Sequence, residues 1–184
     1  MPYSYKIIGT LTTHFFMRMK VQVISMGILG QLERALGVWY PDPDADPDDT
    51  NPVVTVAFRE YVMSRLGDAY SVADREERKP GEPDLVAVRN SDEKRFDLIT
   101  CYRSRMFANE DGDAYLPWTT PETYAAYCEY AEQEGNPCYV IFGLHGFADE
   151  PKFVFCVPLA EAVFDLPRSV LKKYEVAATK DLLP

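Results

Sequence analysis

Histidine is scarce in this sequence, with two residues in 184, and no Cys/His cluster has zinc-ligand spacing. That excludes a zinc finger or zinc ribbon. His14 and His145 read as ordinary strand, loop or turn residues. There are four cysteines, Cys101, Cys128, Cys138 and Cys156, and no C-x-x-C pair. Each sits in an apolar or aromatic stretch, so they read as buried thiols in a reducing compartment, and a cytoplasmic protein is expected. A Gly-rich phosphate loop, a nucleophile elbow and a kinase-type motif are all missing. No apolar run is long enough to span a bilayer: the worst case, Val21–Gly30, is broken by Gln22, Ser25 and two glycines. Arg18 and Lys20 precede that run, but no small-residue cleavage site follows, so it reads as core and not as a signal peptide. Positive charge is also in short supply. Nineteen Lys and Arg against 29 Asp and Glu give a net charge of −10. That balance disfavours a non-specific nucleic-acid coat or a binder of anionic membranes, and leaves room for a local basic groove.

What is present is globular. Apolar residues make up 47% and charged residues 26%, which rules out wholesale disorder, and the length suits one domain with an appendage. Residues 1–40 carry four basic groups and one acid, then residues 41–52 carry five aspartates and no base. This break divides the chain into an N-terminal strand and helix extension (1–40), an acidic Pro/Asp loop (41–52) and an α/β core (53–184). In the extension, Tyr5–Thr12 and Phe15–Ile24 read as strands and the residues from Ile28 to Leu36 as a helix. In the loop, Asp42, Asp44, Asp46 and Asp48 imitate a calcium loop. Counted from Asp42, however, the required glycine and glutamate positions hold Pro47 and Val53, so the segment reads as a solvated acidic loop.

The core reads as an alternation. Val53–Leu66 is an amphipathic helix stopped by Gly67. Strands follow at Ala69–Asp74, Leu85–Val88 and Arg95–Arg103, the first two separated by a charged turn containing Pro80-Gly81. Residues 104–117 read as a loop. Thr120-Pro121 opens a helix that runs to Glu134, with Tyr124, Tyr127, Cys128 and Ala131 as its buried stripe. Strands at Cys138–Leu144 and Lys152–Pro158 flank a loop around His145-Gly146. Short helices at Leu159–Phe164 and Arg168–Tyr174 close the fold, and the tail from Glu175 reads as peripheral. The fold class is therefore α/β, a mixed central β-sheet flanked by helices.

Three acids stand out. Glu60 is on the first core helix, Asp84 opens a strand after Pro83, and Asp97 lies inside the next strand between Phe96 and Leu98. A carboxylate within an apolar strand must be paired or metal-bound. Two strands joined by a tight turn bring Asp84 and Asp97 toward one sheet end, where convergent carboxylates suit a hard divalent cation. The plainer reading is that Asp84 caps a strand start and Asp97 pairs with Arg95 or Arg103.

The run Pro83-Asp84-Leu85-Val86-Ala87-Val88, a turn, and Phe96-Asp97-Leu98-Ile99-Thr100 resembles the restriction-endonuclease-like, or PD-(D/E)XK, nuclease fold. The preceding helix with Glu60 and Leu66-Gly67 fits that family's opening, and the resemblance spans Val53–Phe164. It implies a restriction-endonuclease-like core in which Asp84, Asp97 and Glu60 hold Mg²⁺ for hydrolysis of nucleic-acid phosphodiesters. The family pattern then places a lysine two residues after the second acid. Here that position is Ile99, and Lys94, Lys79 and Arg103 are the local substitutes, with Lys94 chosen as the catalytic base. The alternative is a nuclease-fold or unrelated α/β scaffold without catalysis, acting as a structural or protein-interaction protein. An acidic chain suits a basic partner protein, and residues 1–40 are candidates for homo-oligomer contacts.

Overall fold

The computed structural model describes residues 52–75 and 78–184. The expectations for the extension, for self-association through it and for the acidic loop lie outside these residues. Helix α1 (Pro52–Leu66) is followed by a 3-10 turn at Gly67–Ala69 and then strands β1 (Tyr70–Asp74), β2 (Leu85–Arg89) and β3 (Arg95–Arg103). Two short strands, β4 (Phe107–Ala108) and β5 (Ala114–Pro117), precede helix α2 (Pro121–Glu134). Strands β6 (Cys138–Phe147), β7 (Glu150–Pro158) and β8 (Asp165–Pro167) and a single-turn helix α3 (Arg168–Leu171) complete the order.

The main sheet has the strand order β1-β2-β3-β6-β7. It is mixed: β3 pairs with β6 in parallel, and the other three pairings are antiparallel. This is the α/β architecture read from the sequence, with a helix on each face. β3 lies at the centre, and Phe96, Asp97, Leu98, Ile99 and Cys101 are all buried, as a strand covered on both sides requires. On one face, Phe58, Val62 and Leu66 of α1 pack over Leu85, Ala87, Phe96, Leu98, Ile141 and Cys156. On the other, Tyr127 of α2 covers Ile99, Cys101, Val140, Phe142 and Val157, with Trp118 filling the flank. Each such fully buried side chain contributes about 1.5–3 kcal/mol. The alternation along β3 therefore decides which side chain meets which helix.

The bounds of α2 follow from local chemistry. The Thr120 side chain accepts from the Thr123 amide, Pro121 occupies the first turn, and Gly135 ends the helix at φ 69°.

Four expectations need correction. The segment 104–117 is not all loop, because β4, β5 and β8 form a second, three-stranded sheet. Two- to four-residue strands are too short to show a period. The helix expected at Leu159–Phe164 is one 3-10 turn at Leu159–Glu161, and Arg168–Tyr174 is α3 followed by another 3-10 turn. The sixth strand does not stop before His145-Gly146. It continues to Phe147 with φ 57° at His145 and 73° at Gly146, and the hairpin turns at Ala148-Asp149. The tail is not peripheral: Leu182 and Leu183 are buried in the α1-side core.

Candidate functional site

The register of β2 on β3 sets the site. Leu85 pairs with Leu98 and Val86 with Asp97. Continuing that register by one residue sets Asp84 beside Ile99. Partners across an antiparallel pair share a face, so Asp84, Ile99 and Asp97 all lie toward α2. Asp84 and Asp97 are thus diagonal neighbours, a relation of about 7–8 Å between Cα positions. Asp84 and Asp97 are the two charged residues buried among the described residues, at 1% and 0% exposure.

Asp84 terminates the ladder with its side chain. Its Oδ2 accepts from the Thr100 amide at 2.6 Å and from the Thr100 hydroxyl at 3.1 Å. Its Oδ1 lies 2.8 Å from Arg78 Nη2. That contact is an ion pair without an aligned hydrogen bond, so Oδ1 is buried with no hydrogen-bond partner. Burial pushes the Asp84 carboxyl above its ordinary range, while Arg78 and the Thr100 bonds pull it back. At Arg78 burial acts downward, and the charges of Asp84 and Tyr127 outweigh it, leaving the guanidinium raised. The pair is asymmetric because the carboxylate is sealed, whereas the arginine head is a third exposed.

Asp97 has its own arginine. Arg95, two residues back on the same face, bonds Asp97 Oδ1 through Nη2 at 3.1 Å and Nε at 3.3 Å, and Asn136 donates to Oδ2 at 3.1 Å. Two tyrosines of α2 complete the arrangement. Tyr127 Oη meets Arg78 at 3.2 Å, and Tyr130 Oη meets Arg75 at 3.3 Å and Arg95 at 3.4 Å. Each buried carboxylate is thus neutralised by an arginine of the same chain and covered by a helix. Gly81 makes this closure work. A Cβ there would meet Ala126 Cβ at 2.8 Å, and its φ is +87°, so glycine lets the Arg78 loop lie directly on α2.

The other residues singled out lie elsewhere. Glu60 is exposed on α1, which packs on the opposite face of the sheet. Lys94 Nζ sits 5.2 Å from the centre of the Phe96 ring, and Phe96 faces α1. Lys79 is exposed, with its amide donating to Glu82. Arg103 donates to the backbone oxygens of Tyr102, Pro117 and Trp118. The structure therefore groups Asp84 and Asp97 with arginines, and sets Glu60 and Lys94 toward the other face of the sheet. Sequence reasoning missed Arg78, Tyr127, Tyr130 and Asn136. Only the helical stripe containing Tyr127 hinted at them. Among the described residues no three His, Cys, Asp or Glu side chains converge on a common point, and no helix is long and apolar enough to cross a membrane.

No family model and no curated protein matches the sequence. Among solved structures, the chain is similar to the Hjc Holliday junction resolvase of Archaeoglobus fulgidus, an archaeal hyperthermophile. Identity is 14%, the alignment covers 65% of this chain and 88% of that one, and the TM-score is 0.47.

Proposed function

We propose that the chain is a catalytically silent, nuclease-like α/β scaffold that works as a protein-interaction or structural protein in the cytoplasm. One observation carries this reading. The β3 position beside Asp84 is Ile99, buried and apolar, so that facing position offers no second carboxylate to share a cation. The next residue on that face is Cys101, also buried, so no lysine stands where a general base would follow. Asp97, the other buried acid among the described residues, is already bonded by Arg95 and Asn136. Charge has been matched inside the protein instead of being left for a metal. The described residues do not fit a two-carboxylate Mg²⁺ site. The net charge of −10 favours a basic partner protein over nucleic acid.

A second reading has one observation in its favour. Asp84 Oδ1 is buried without a hydrogen bond, and Arg78 beside it is partly exposed on a loop. A divalent cation displacing Arg78 would give Mg²⁺-dependent phosphodiester hydrolysis at Asp84 and Asp97. A cleavage assay on single- and double-stranded DNA and RNA with Mg²⁺ or Mn²⁺ separates the two. The scaffold reading expects no cleavage and no metal-induced rise in melting temperature. Cleavage lost in both Asp84→Ala and Asp97→Ala would overturn it.

A further inference from the structure

The segment 175–184 has no regular secondary structure, yet it is bound like a ligand. It starts as a partner of β7, with Glu175 bridged to Phe155 and the Val176 amide donating to Val154 O at 2.8 Å. Arg65 of α1 then holds it from the side, donating to the backbone oxygens of Lys180 at 3.0 Å and Ala177 at 3.3 Å. Arg89 donates to Pro184 O at 3.2 Å. All of these bonds are to the main chain of the segment, and Arg65 grips both ends of a turn closed by the Lys180 amide on Ala177 O at 3.0 Å, so they select a backbone path and not a sequence. Sequence enters through Leu182 and Leu183, at 2% and 4% exposure in the cluster that includes Cys156, with Val176 packed against its edge. An open pocket of about 320 Å³ lies between the segment and Tyr139, Cys156, Pro158 and Tyr174. Arg65 itself is held ready by Tyr61, whose hydroxyl it meets at 2.8 Å.

We propose that residues 175–184 are a self-bound ligand, and that their seat between α1 and β7 is a recognition groove for a segment that turns over Arg65 and carries two adjacent leucines. A single bridge to β7, an arginine clamp on the carbonyls of a turn and an open apolar pocket alongside are what such a segment requires. Release of the cis segment opens the groove without opening the sheet, because no strand of the main sheet depends on it for more than a single bridge.

Two cysteines on opposite faces report on this. Cys156 lies under the segment, and Cys101 lies under α2. The full chain is exposed to an aromatic disulfide reagent under native conditions, and each cysteine is followed by peptide mass spectrometry. Cys156 is expected to react at least tenfold faster than Cys101. In Leu182→Ser/Leu183→Ser, and separately in Arg65→Ala, Cys156 should accelerate several-fold further with Cys101 unchanged. A synthetic peptide of residues 175–184, added in excess to either variant, should return Cys156 toward its wild-type rate. Equal rates at Cys156 and Cys101 in the wild type, acceleration of both together in Arg65→Ala, or no protection by the peptide would each overturn the proposal. In those cases the segment is an integral part of the core.

Discussion

Asp84 stands beside Ile99 across the β2–β3 ladder, with Asp97 two residues further along. A shared cation needs ligands on one metal at about 2 Å each, so the immediate neighbour matters and the diagonal one does not suffice without rearrangement. With isoleucine in that place, the carboxylate is left to Arg78 and Thr100.

The first prediction tests that geometry. Ile99→Glu puts a second carboxylate next to Asp84 in a buried place. Without a cation the variant should lose about 3 kcal/mol or more, because a charge is buried beside a like charge. Millimolar Mn²⁺ should raise its melting temperature by several degrees and leave the wild type unmoved. Scanning fluorimetry with and without Mn²⁺ decides it, and identical responses of the two proteins would sink the assignment of position 99.

A second prediction concerns pH. The Asp84 carboxyl is raised in the folded protein, chiefly by burial. The folded chain therefore keeps this proton to a higher pH than the unfolded chain does. Its contribution to stability is present below the ordinary aspartate range, about 4, and falls as pH rises from there through the raised folded value. Asp84→Asn keeps an acceptor for Thr100 and abolishes the titration. Urea midpoints measured from pH 4 to 7 should fall less steeply with pH in Asp84→Asn than in the wild type. Parallel profiles would show that another group governs this range.

The arginine pairing makes a third, coupled prediction. Arg78→Ala leaves a buried carboxylate without its counter-charge and should cost about 2–3 kcal/mol, reduced from a fully buried pair by the exposure of the arginine. In the Asp84→Asn background the same change should cost under about 1 kcal/mol, because no charge is left behind. Additive effects in this double-mutant cycle would deny that the two residues act together.

Close packing gives a fourth. Gly143 on β6 faces the ring of Phe58, and a Cβ added there would overlap the ring edge. Gly143→Ala should destabilise by about 1–3 kcal/mol through overpacking, with much of the loss recovered by Phe58→Leu. A neutral Gly143→Ala, measured by chemical denaturation, would show that α1 can slide on the sheet.

Much of the fold was legible because its signals are local. Thr120-Pro121 and Gly135 mark both ends of α2, and the apolar run around Asp97 marks β3 to the residue. Register is not local. The run of residues identifies Asp84 and Asp97 as buried acids, but which β3 residue stands beside Asp84 depends on how the turn between β2 and β3 is drawn, and a slip of two residues changes Asp97 to Ile99. Arg78 was unreadable for a similar reason: its loop reaches Asp84 only because Gly81 permits contact with α2. His145-Gly146 looks like a hairpin turn, and both residues do adopt positive φ, but within a continuing strand. Leu182-Leu183 follows a polar stretch, and nothing nearby in sequence indicates that the groove over Cys156 is waiting for it.

The parallel seam between β3 and β6 divides the sheet into two pieces, each built from neighbours in sequence: the β1–β2–β3 meander and the β6–β7 hairpin. Joining them requires closure of the whole stretch from Ser104 to Pro137, with α2 laid across it, whereas either piece closes through a connection of a few residues or one short loop. Assembly of this core is thus expected to be a late union of two early-formed halves. Changes along the seam, at Asp97 and Cys138 through Arg103 and Leu144, are expected to act on how fast the halves meet. Changes to contacts completed only after that union are expected to act on how long the halves stay together.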